Sequence, residues 1–314
     1  MKKTTLLGAL LLLLAGNISA ARAADFAAAF LETGVGARGV GMGSAFAAVV
    51  DDASATYWNP AGLVRTRGKK LLAALQPLSL DRRQSSASFT FNPRGEMAFG
   101  LTWMHASVGD IQGRTGSGVP TGALEDAENA FFVSVGRALG ERLALGFTVK
   151  ILSQRIDVPG WQKAEGSGHG VDLGLQFRLG EKTTLAAVVR NLGASIDWTV
   201  QRSAQQASST EDLLPHVLGV GLAYRPLSGL LLAADLYQGD DSYANLGAEW
   251  TINPLLTVRT GLERVPGDDE GIGRVAVGLT LQPMRHEHLR LTYAYTSDQI
   301  GAGERSVFGL GIQF

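Results

Sequence analysis

The chain has 314 residues, of which 40 are glycine and none is cysteine, and its 28 lysines and arginines nearly balance 29 aspartates and glutamates. This charge balance argues against a nucleic-acid-binding protein, and the lack of cysteine excludes disulfides and thiolate metal sites. Charged residues make up 18% of the chain, which is below the roughly 25% that is usual for soluble proteins.

The N-terminus predicts a secretory signal peptide. Lys2 and Lys3 precede an apolar run over residues 6–15, and Ala-Arg-Ala at 21–23 supplies the small residues of a cleavage site. A membrane anchor is the alternative, but the run is too short to cross about 30 Å of hydrocarbon. We therefore expect residues 1–23 to be removed and the protein to be exported.

The next segment, residues 24–69, is rich in glycine and small residues and has no strand-like alternation. Residues 42–50 suit a short helix, and Asp51 and Asp52 suit the start of a helical turn. A formal G-x-G-x-x-G match at residues 34–39 lacks the strand and helix of a dinucleotide site. A glycine-rich plug is the better interpretation.

From residue 70 to the end, apolar and polar residues alternate. Residues 171–179 are an example, because every odd position is apolar and the positions between include Asp172 and Arg178. A strand places such apolar side chains on one face, whereas a helix does not. About 14 such segments recur at the roughly 9–11 residues that a tilted transmembrane strand needs. We predict strands at 70–80, 84–91, 95–106, 128–138, 141–153, 168–179, 182–191, 213–225, 228–237, 243–252, 255–264, 271–282, 288–297 and 304–314.

The connections distinguish a membrane barrel from a secreted soluble β-sandwich. Short turns alternate with longer connections, notably 107–127, 154–167 and 192–212, as they do between periplasmic turns and extracellular loops. The chain ends on Phe314, which completes the last alternation and resembles the C-terminal recognition strand of outer-membrane barrels. We predict an all-β protein, a transmembrane barrel of about 14 antiparallel strands. Its expected surroundings are outer-membrane lipid of a Gram-negative-type bacterium, and its expected assembly partner is the barrel-assembly machinery.

Residues 34–63 resemble the N-terminal motif of the PorV/PorQ family, a branch of the FadL-like outer-membrane superfamily. The paired aspartates at 51 and 52 and Tyr-Trp-Asn-Pro-Ala-Gly-Leu at 57–63 carry the resemblance. It implies that residues 24–69 form a hatch in the lumen of a barrel made by residues 70–314. The matching hatch or gate positions are Arg38, Asp51, Asp52, Asn59, Pro60 and Ala61.

Ten charged residues occupy inward positions of the predicted strands. Unpaired charges are costly in a low-dielectric lumen, so we expect them to pair with each other and with the hatch. The alternative is a polar conduit whose net basic lining favours anions. The ten residues are Lys150, Asp172, Arg178, Arg190, Asp235, Glu249, Arg259, Glu263, Arg274 and Arg290.

We predict no enzymatic activity, cofactor or metal site. The histidines at 105, 169 and 216 are scattered near strand ends, and no nucleophile is marked by its context. His-Glu-His at 286–288 would need a converging third ligand to bind a metal. The loop acids at 240–241 and 268–270 are interpreted as solvated charges.

Two specific functions fit these features, and a purely structural role is a third interpretation. The first is passage of hydrophobic or amphipathic small molecules, with residues 33–63 as gate, and it predicts an apolar pocket beside the hatch. The alternative is a PorV-like docking or shuttle protein for protein secretion, with partners bound through residues 107–127 and 192–212.

Pro77 interrupts the first strand. It predicts a strand end or bulge there, or a lateral outlet between the first and last strands.

Overall fold

The computed structural model of the protein describes residues 28–79, 81–114, 116–158, 162–203, 206–239, 241–266, 273–283, 288–297 and 304–314. The expected signal peptide at residues 1–23 lies outside these described residues. Short turns and the C-terminus share one end of the molecule, which we call the turn end and which the sequence predicts to face the periplasm. We call the opposite end the loop end.

Fourteen antiparallel strands close into a barrel, because β1 pairs with β15 and β6 pairs with β7. A further strand, β8, pairs with the half of β7 that lies toward the loop end. The half of β7 toward the turn end pairs with β9. The predicted fold class is therefore confirmed. The strands are β1 Gly68–Pro77, β2 Arg82–Asn92, β3 Met97–Arg114, β4 Pro120–Leu139, β5 Leu143–Val158, β6 Gln162–Leu179, β7 Thr183–Ser203, β8 Gln206–Leu213, β9 Val217–Tyr224, β10 Leu230–Gln238, β11 Ser242–Asn253, β12 Leu256–Pro266, β13 Arg274–Leu281, β14 Leu289–Thr296 and β15 Arg305–Gln313.

The alternating pattern separates an inner face from an outer face on each strand. On β5, Thr148 and Leu152 point inward and are buried, whereas Leu145, Phe147 and Ile151 are exposed on the outer face. Similar exposed leucines, valines and phenylalanines recur on the other strands. An apolar outer band of this kind suits the hydrocarbon layer of a membrane.

The connections predicted near 107–127, 154–167 and 192–212 are mostly strand, which corrects the sequence-based boundaries. Strands β3 and β4 stay paired out to Arg114 and Pro120, and β5 and β6 out to Val158 and Gln162. The outer stretches of β3 to β6 are mostly polar, so their hydrophobic period is weak while their backbone ladder continues. In β7, Ala194, Ile196, Trp198 and Val200 alternate with polar residues, so this stretch carries a strand signal that the predicted boundaries missed. The paired extensions from β3 to β8 form a wall at the loop end, which we call the tall wall.

The seam between the first and last strands is only partly paired. Strand β1 pairs with β2 as far as Pro77, but it pairs with β15 only from Lys70 to Leu75. Proline cannot donate a ladder hydrogen bond, and the seam is unpaired at its outer end, where the outlet was hypothesised. Its use as an outlet stays a prediction.

The described residues before β1, 28–67, form what we call the luminal segment. It contains 3-10 turns at Ala29–Glu32 and Pro60–Arg65 and the short helices α1, Ala37–Gly41, and α2, Ala55–Trp58. The helix expected over 42–50 was a wrong prediction. Gly43 and Ser44 have φ values of +59° and +61°, a left-handed conformation that ends a right-handed helix. No helix among the described residues is long and apolar enough to cross a membrane.

Glycines in the barrel wall let the luminal segment lie directly against the strands. Gly136, Gly146 and Gly174 are aligned across three neighbouring strands, and a Cβ added at Gly136 would lie 2.9 Å from the Pro60 carbonyl oxygen. On another side, a Cβ at Gly247 would lie 2.5 Å from the carbonyl oxygen of Met42. Side chains at these positions would push the segment out of the lumen.

Candidate functional site

Asn59 connects two parts of the luminal segment to the barrel wall. Its Nδ2 donates to the backbone oxygens of Ala47 at 3.0 Å and Leu175 at 3.2 Å. Its Oδ1 accepts from the backbone nitrogen of Ala61 at 3.0 Å, which starts the 3-10 turn that contains Pro60. The fully buried amide therefore fixes the turn in the lumen. The predicted hatch positions Asn59, Pro60 and Ala61 lie together here.

Arg38 joins the same segment to the opposite side of the wall. Its Nε and Nη2 donate to the two carboxylate oxygens of Glu249 at 2.8 and 3.0 Å, a bidentate pair. Arg38 also lies within ion-pair distance of Asp51 and Asp52, and Arg259 donates to Glu249 at 2.7 Å. The predicted gate residues Arg38, Asp51 and Asp52 thus form one network with two of the inward charges.

Electrostatics favour the charged form of Asp51 in this network. Burial is the largest single effect and raises the pKa of the Asp51 carboxyl, but the charge and hydrogen bond of Arg38 and the charge of Lys70 together outweigh it. The net result is a pKa below the ordinary aspartate value. Asp51 therefore stays ionised as the partner of Arg38, and Lys70 adds a contact by donating to the Asp51 backbone oxygen at 2.9 Å.

Two further wall carboxylates bind the luminal segment. Asp235 Oδ2 accepts from the backbone nitrogens of Phe46 at 2.7 Å and Ala47 at 2.8 Å. Glu263 accepts from the Ser44 hydroxyl at 2.6 Å and from Arg305 at 2.7 Å. Arg305 was not among the residues that the sequence singled out, although it occupies an inward position at the start of the last strand.

The remaining inward charges have three kinds of surroundings. Lys150 and Asp172 form a buried pair at 2.8 Å within the wall, and Arg274 lies 3.9 Å from Glu263. Arg190 contacts aromatic rings, as described below. Among the described residues, no carboxylate lies within 4.0 Å of Arg178 or Arg290, so the expected pairing does not extend to them.

Arg190 holds the second helix of the luminal segment. Its Nη2 donates to the backbone oxygen of Trp58 at 2.9 Å. Its guanidinium carbon lies 5.3 Å from the Tyr57 ring centroid, 5.9 Å from that of Trp58 and 5.4 Å from that of Tyr237. These are cation–π distances. The sequence predicted an inward charge here but not this aromatic environment.

An apolar cluster lies beside α2 in the lumen, next to the charged Arg190. Phe46, Tyr57 and Trp58 of the segment pack in one buried cluster with wall residues, and the Tyr57 and Phe132 ring centroids are 6.1 Å apart. Sequence reasoning missed these wall residues, although the signal was present as consecutive apolar residues that leave no polar inner face, such as 131–133 and 151–152. The inward wall residues of the cluster include Met104, Phe132, Leu152, Val188, Ile196 and Tyr237.

Two cavities open at the turn end. The larger, about 430 Å³, lies between the segment and strands β11 to β15 and β1, and its lining includes Arg38, Asp51, Glu249, Arg259 and Arg290. It is strongly charged, so it is not the apolar pocket that the transport hypothesis predicted. The smaller, about 200 Å³, lies on the other side of the segment.

Metal-ligating groups are sparse in the part of the chain that the structure describes. No three histidine, aspartate or glutamate side chains converge there as a metal site. His286 and Glu287 of the predicted turn, and the loop acids at 240 and 268–270, lie outside the described residues.

Comparison with known proteins shows the fold. No family model matches the sequence, and no curated protein matches it. The toluene transporter TbuX of Ralstonia pickettii superimposes with a TM-score of 0.65 at 15% identity, covering 90% of this chain and 98% of that chain. The P. putida toluene transporter TodX gives 0.65 at 14% identity, covering 90% and 99%. A Pseudomonas aeruginosa FadL homologue gives 0.62 at 11% identity, covering 88% and 97%.

The chain therefore has the fold of FadL- and TodX-like barrels. The three compared structures are described as transporters or as a FadL homologue. At these identities the likeness concerns the fold, and membership of the PorV/PorQ family stays a prediction.

Proposed function

We propose that the protein mediates passage of hydrophobic or amphipathic small molecules across the outer membrane. The observation that carries this proposal is the buried apolar cluster around Tyr57 and Trp58 inside the barrel. Open porins have a polar, water-filled interior, whereas an apolar interior favours solutes that leave water readily. The shared fold with two toluene transporters supports the same conclusion.

In this proposal the luminal segment is the gate. Helix α2 contributes Tyr57 and Trp58 to the cluster, and its backbone is held by Arg190. The turn that follows is held by Asn59. A solute passing through the lumen would take the place of the α2 side chains against Phe132 and Met104. The geometry of Asn59 and Pro60 would then decide whether α2 returns to its position.

The alternative proposal is a PorV-like docking or shuttle protein for protein secretion. The close contacts between the segment and the wall glycines favour it, because such contacts suit a permanent plug. The tall wall, whose hairpins include most of residues 107–127 and 192–212, offers paired polar strands to a partner at the loop end. In this case no solute crosses the lumen.

One purification separates the two proposals. The mature protein is isolated in mild detergent, and lipid and protein mass spectrometry are applied to the same sample. Transport predicts a stoichiometric hydrophobic ligand that is lost in Asn59→Ala and Pro60→Ala variants. It also predicts that the ligand is retained in Asn129→Ala, whose amide lies beside the exposed Trp103 on β3.

The opposite result is equally informative. A ligand-free barrel that reproducibly retains a protein partner would contradict the uptake proposal and favour the docking one. Uptake of a radiolabelled aromatic hydrocarbon by cells that produce each variant provides the second readout. Transport requires that Asn59→Ala reduces uptake while Asn129→Ala leaves it unchanged.

A further inference from the structure

Four arginines line the smaller cavity at the turn end. Arg65 and Arg67 come from the end of the luminal segment, Arg142 from the turn before β5, and Arg178 from β6. The cavity has a volume of about 200 Å³, and Glu141 is its only acidic lining residue. We call this cavity the arginine socket.

The socket gathers four arginines that have no carboxylate partner among the described residues, whereas the larger cavity holds one such arginine, Arg290. Elsewhere, wall carboxylates meet cations at close range, as in the Lys150–Asp172 pair at 2.8 Å and the Arg259–Glu249 pair at 2.7 Å. In the described part of the chain, no carboxylate lies within 4.0 Å of the socket arginines. Arg65 instead donates to the neutral side chain of Gln176 at 2.5 Å.

The lowered pKa of Arg65 reflects its burial and the crowding of positive charge. Burial and the nearby Arg178 and Arg225 guanidinium groups lower the pKa of Arg65 to about 10. Arginines normally keep their proton at any physiological pH and bind anions through parallel N–H donors. An arrangement that gathers like charges without a protein counter-ion is stabilised when an anion enters it.

The socket faces the lumen rather than the lipid. Ala144 and Gln176 are buried inward residues of β5 and β6, and Arg142 and Arg178 lie two positions away on the same faces. The Arg178 backbone nitrogen donates to the Arg142 oxygen at 2.8 Å, so the two arginines are adjacent. A ligand therefore enters from the aqueous side of the turn end.

We propose that the arginine socket binds a phosphate-class oxyanion on the periplasmic side of the barrel. Guanidinium groups match phosphate oxygens bidentately, and four positive charges facing one glutamate suit a multiply charged ligand better than a single carboxylate. A cavity needs about 10–15 Å³ to hold one water molecule. The cavity therefore has room for a phosphate group and several waters.

The same chemistry has two sources, a soluble phosphate compound or the headgroup of a phospholipid whose chains remain outside the barrel. The proposal does not depend on the transport function, since the socket and the apolar cluster share no residues. Failure of either proposal leaves the other intact.

Calorimetric titration of the full mature protein with inorganic phosphate in zwitterionic detergent tests the soluble source. We expect the double variant Arg142→Gln/Arg178→Gln to weaken binding at least about tenfold, because charge-assisted hydrogen bonds are lost. The control is Arg137→Gln, an exposed arginine on the outer face of β4 at the same end, and it should bind as the wild type does. Arg178→Lys keeps the charge and should bind more strongly than Arg178→Gln.

Nanodiscs that contain phosphatidylglycerol test the lipid source, with retained lipid counted by native mass spectrometry. Retention that depends on Arg142 and Arg178, without binding of free phosphate, supports the site and assigns it to a headgroup. Equal binding by wild type, double variant and control, or binding by none of them in either arm, overturns the proposal. Heat-dependent gel migration shows that each variant contains a folded barrel.

Discussion

Three acidic residues of the wall hold the luminal segment. Asp235 binds backbone nitrogens, Glu249 binds Arg38 and Glu263 binds Ser44. A buried charge is tolerated when hydrogen bonds satisfy it and becomes costly when a partner is removed. The segment therefore depends on these carboxylates for its position, and the carboxylates depend on the segment for their partners.

Replacing Asp235 with asparagine tests this dependence. The side chain keeps its size but loses its charge, so the hydrogen bonds from Phe46 and Ala47 weaken. We expect the free energy of unfolding to fall by about 1–3 kcal/mol, measured as a lower midpoint in heat-dependent gel migration. Asp157→Asn is the control, because among the described residues Asp157 pairs only with the exposed Arg155. Equal midpoints for both variants would contradict the anchoring role.

The first and last strands close the barrel through an incomplete seam. Pairing of β1 with β15 ends at Leu75 and Phe308, although β1 continues to pair with β2 as far as Pro77. Backbone groups that leave a strand ladder need other hydrogen-bond partners. At the same place, the side-chain nitrogen Nε2 of Gln76 is buried without a hydrogen-bond partner among the described residues. The outer end of this seam is therefore where we place the predicted lateral outlet.

A disulfide across the seam tests the outlet. Continuing the register places Gln76 opposite Val307, and the chain contains no native cysteine. If solutes leave here, oxidation of Gln76→Cys/Val307→Cys should reduce uptake, and reduction should restore it. Leu72→Cys/Gly311→Cys is the control, because these residues are already paired. Unchanged uptake in the fully cross-linked protein would exclude this outlet.

At the scale of the molecule, one part of the chain closes the barrel and another part fills its lumen. Residues 68–313 supply every strand of the closed ring, whereas the luminal segment contributes no strand and fills the interior. A barrel satisfies its backbone between strands, so closure does not require a plug. We propose that the segment instead determines whether the interior conducts.

A variant in which residues 24–67 are deleted after the signal peptide should therefore fold into a barrel with an open lumen. Water entering the lumen would hydrate Asp235 and Glu249 in place of their lost partners. We expect stepwise ion conductance in planar bilayers, whereas the full-length protein should remain closed. Full-length Asn129→Ala is the control and should not conduct. A deletion variant with a normal heat-dependent gel shift but no conductance would contradict the plug role.

The sequence by itself determined the barrel. Alternation is local, since neighbouring residues of a strand point to opposite faces whatever the rest of the chain does. For example, the apolar residues on the outer face of β5 could be identified without knowing which strands pair with it. The extension of β3 beyond residue 106 was harder to identify, because it contains few apolar residues and its periodic signal is weak.

Only the tertiary structure decided how the luminal segment runs through the lumen and which wall residues it contacts. Arg38 and Glu249 are 211 positions apart in sequence, and their contact depends on ring closure and on the path of the luminal segment. The left-handed residues Gly43 and Ser44 set that path and replaced the expected helix. The apolar cluster and the arginine socket both arise where this path meets the wall. Contacts between distant residues follow from three-dimensional packing, which a period-two pattern does not specify.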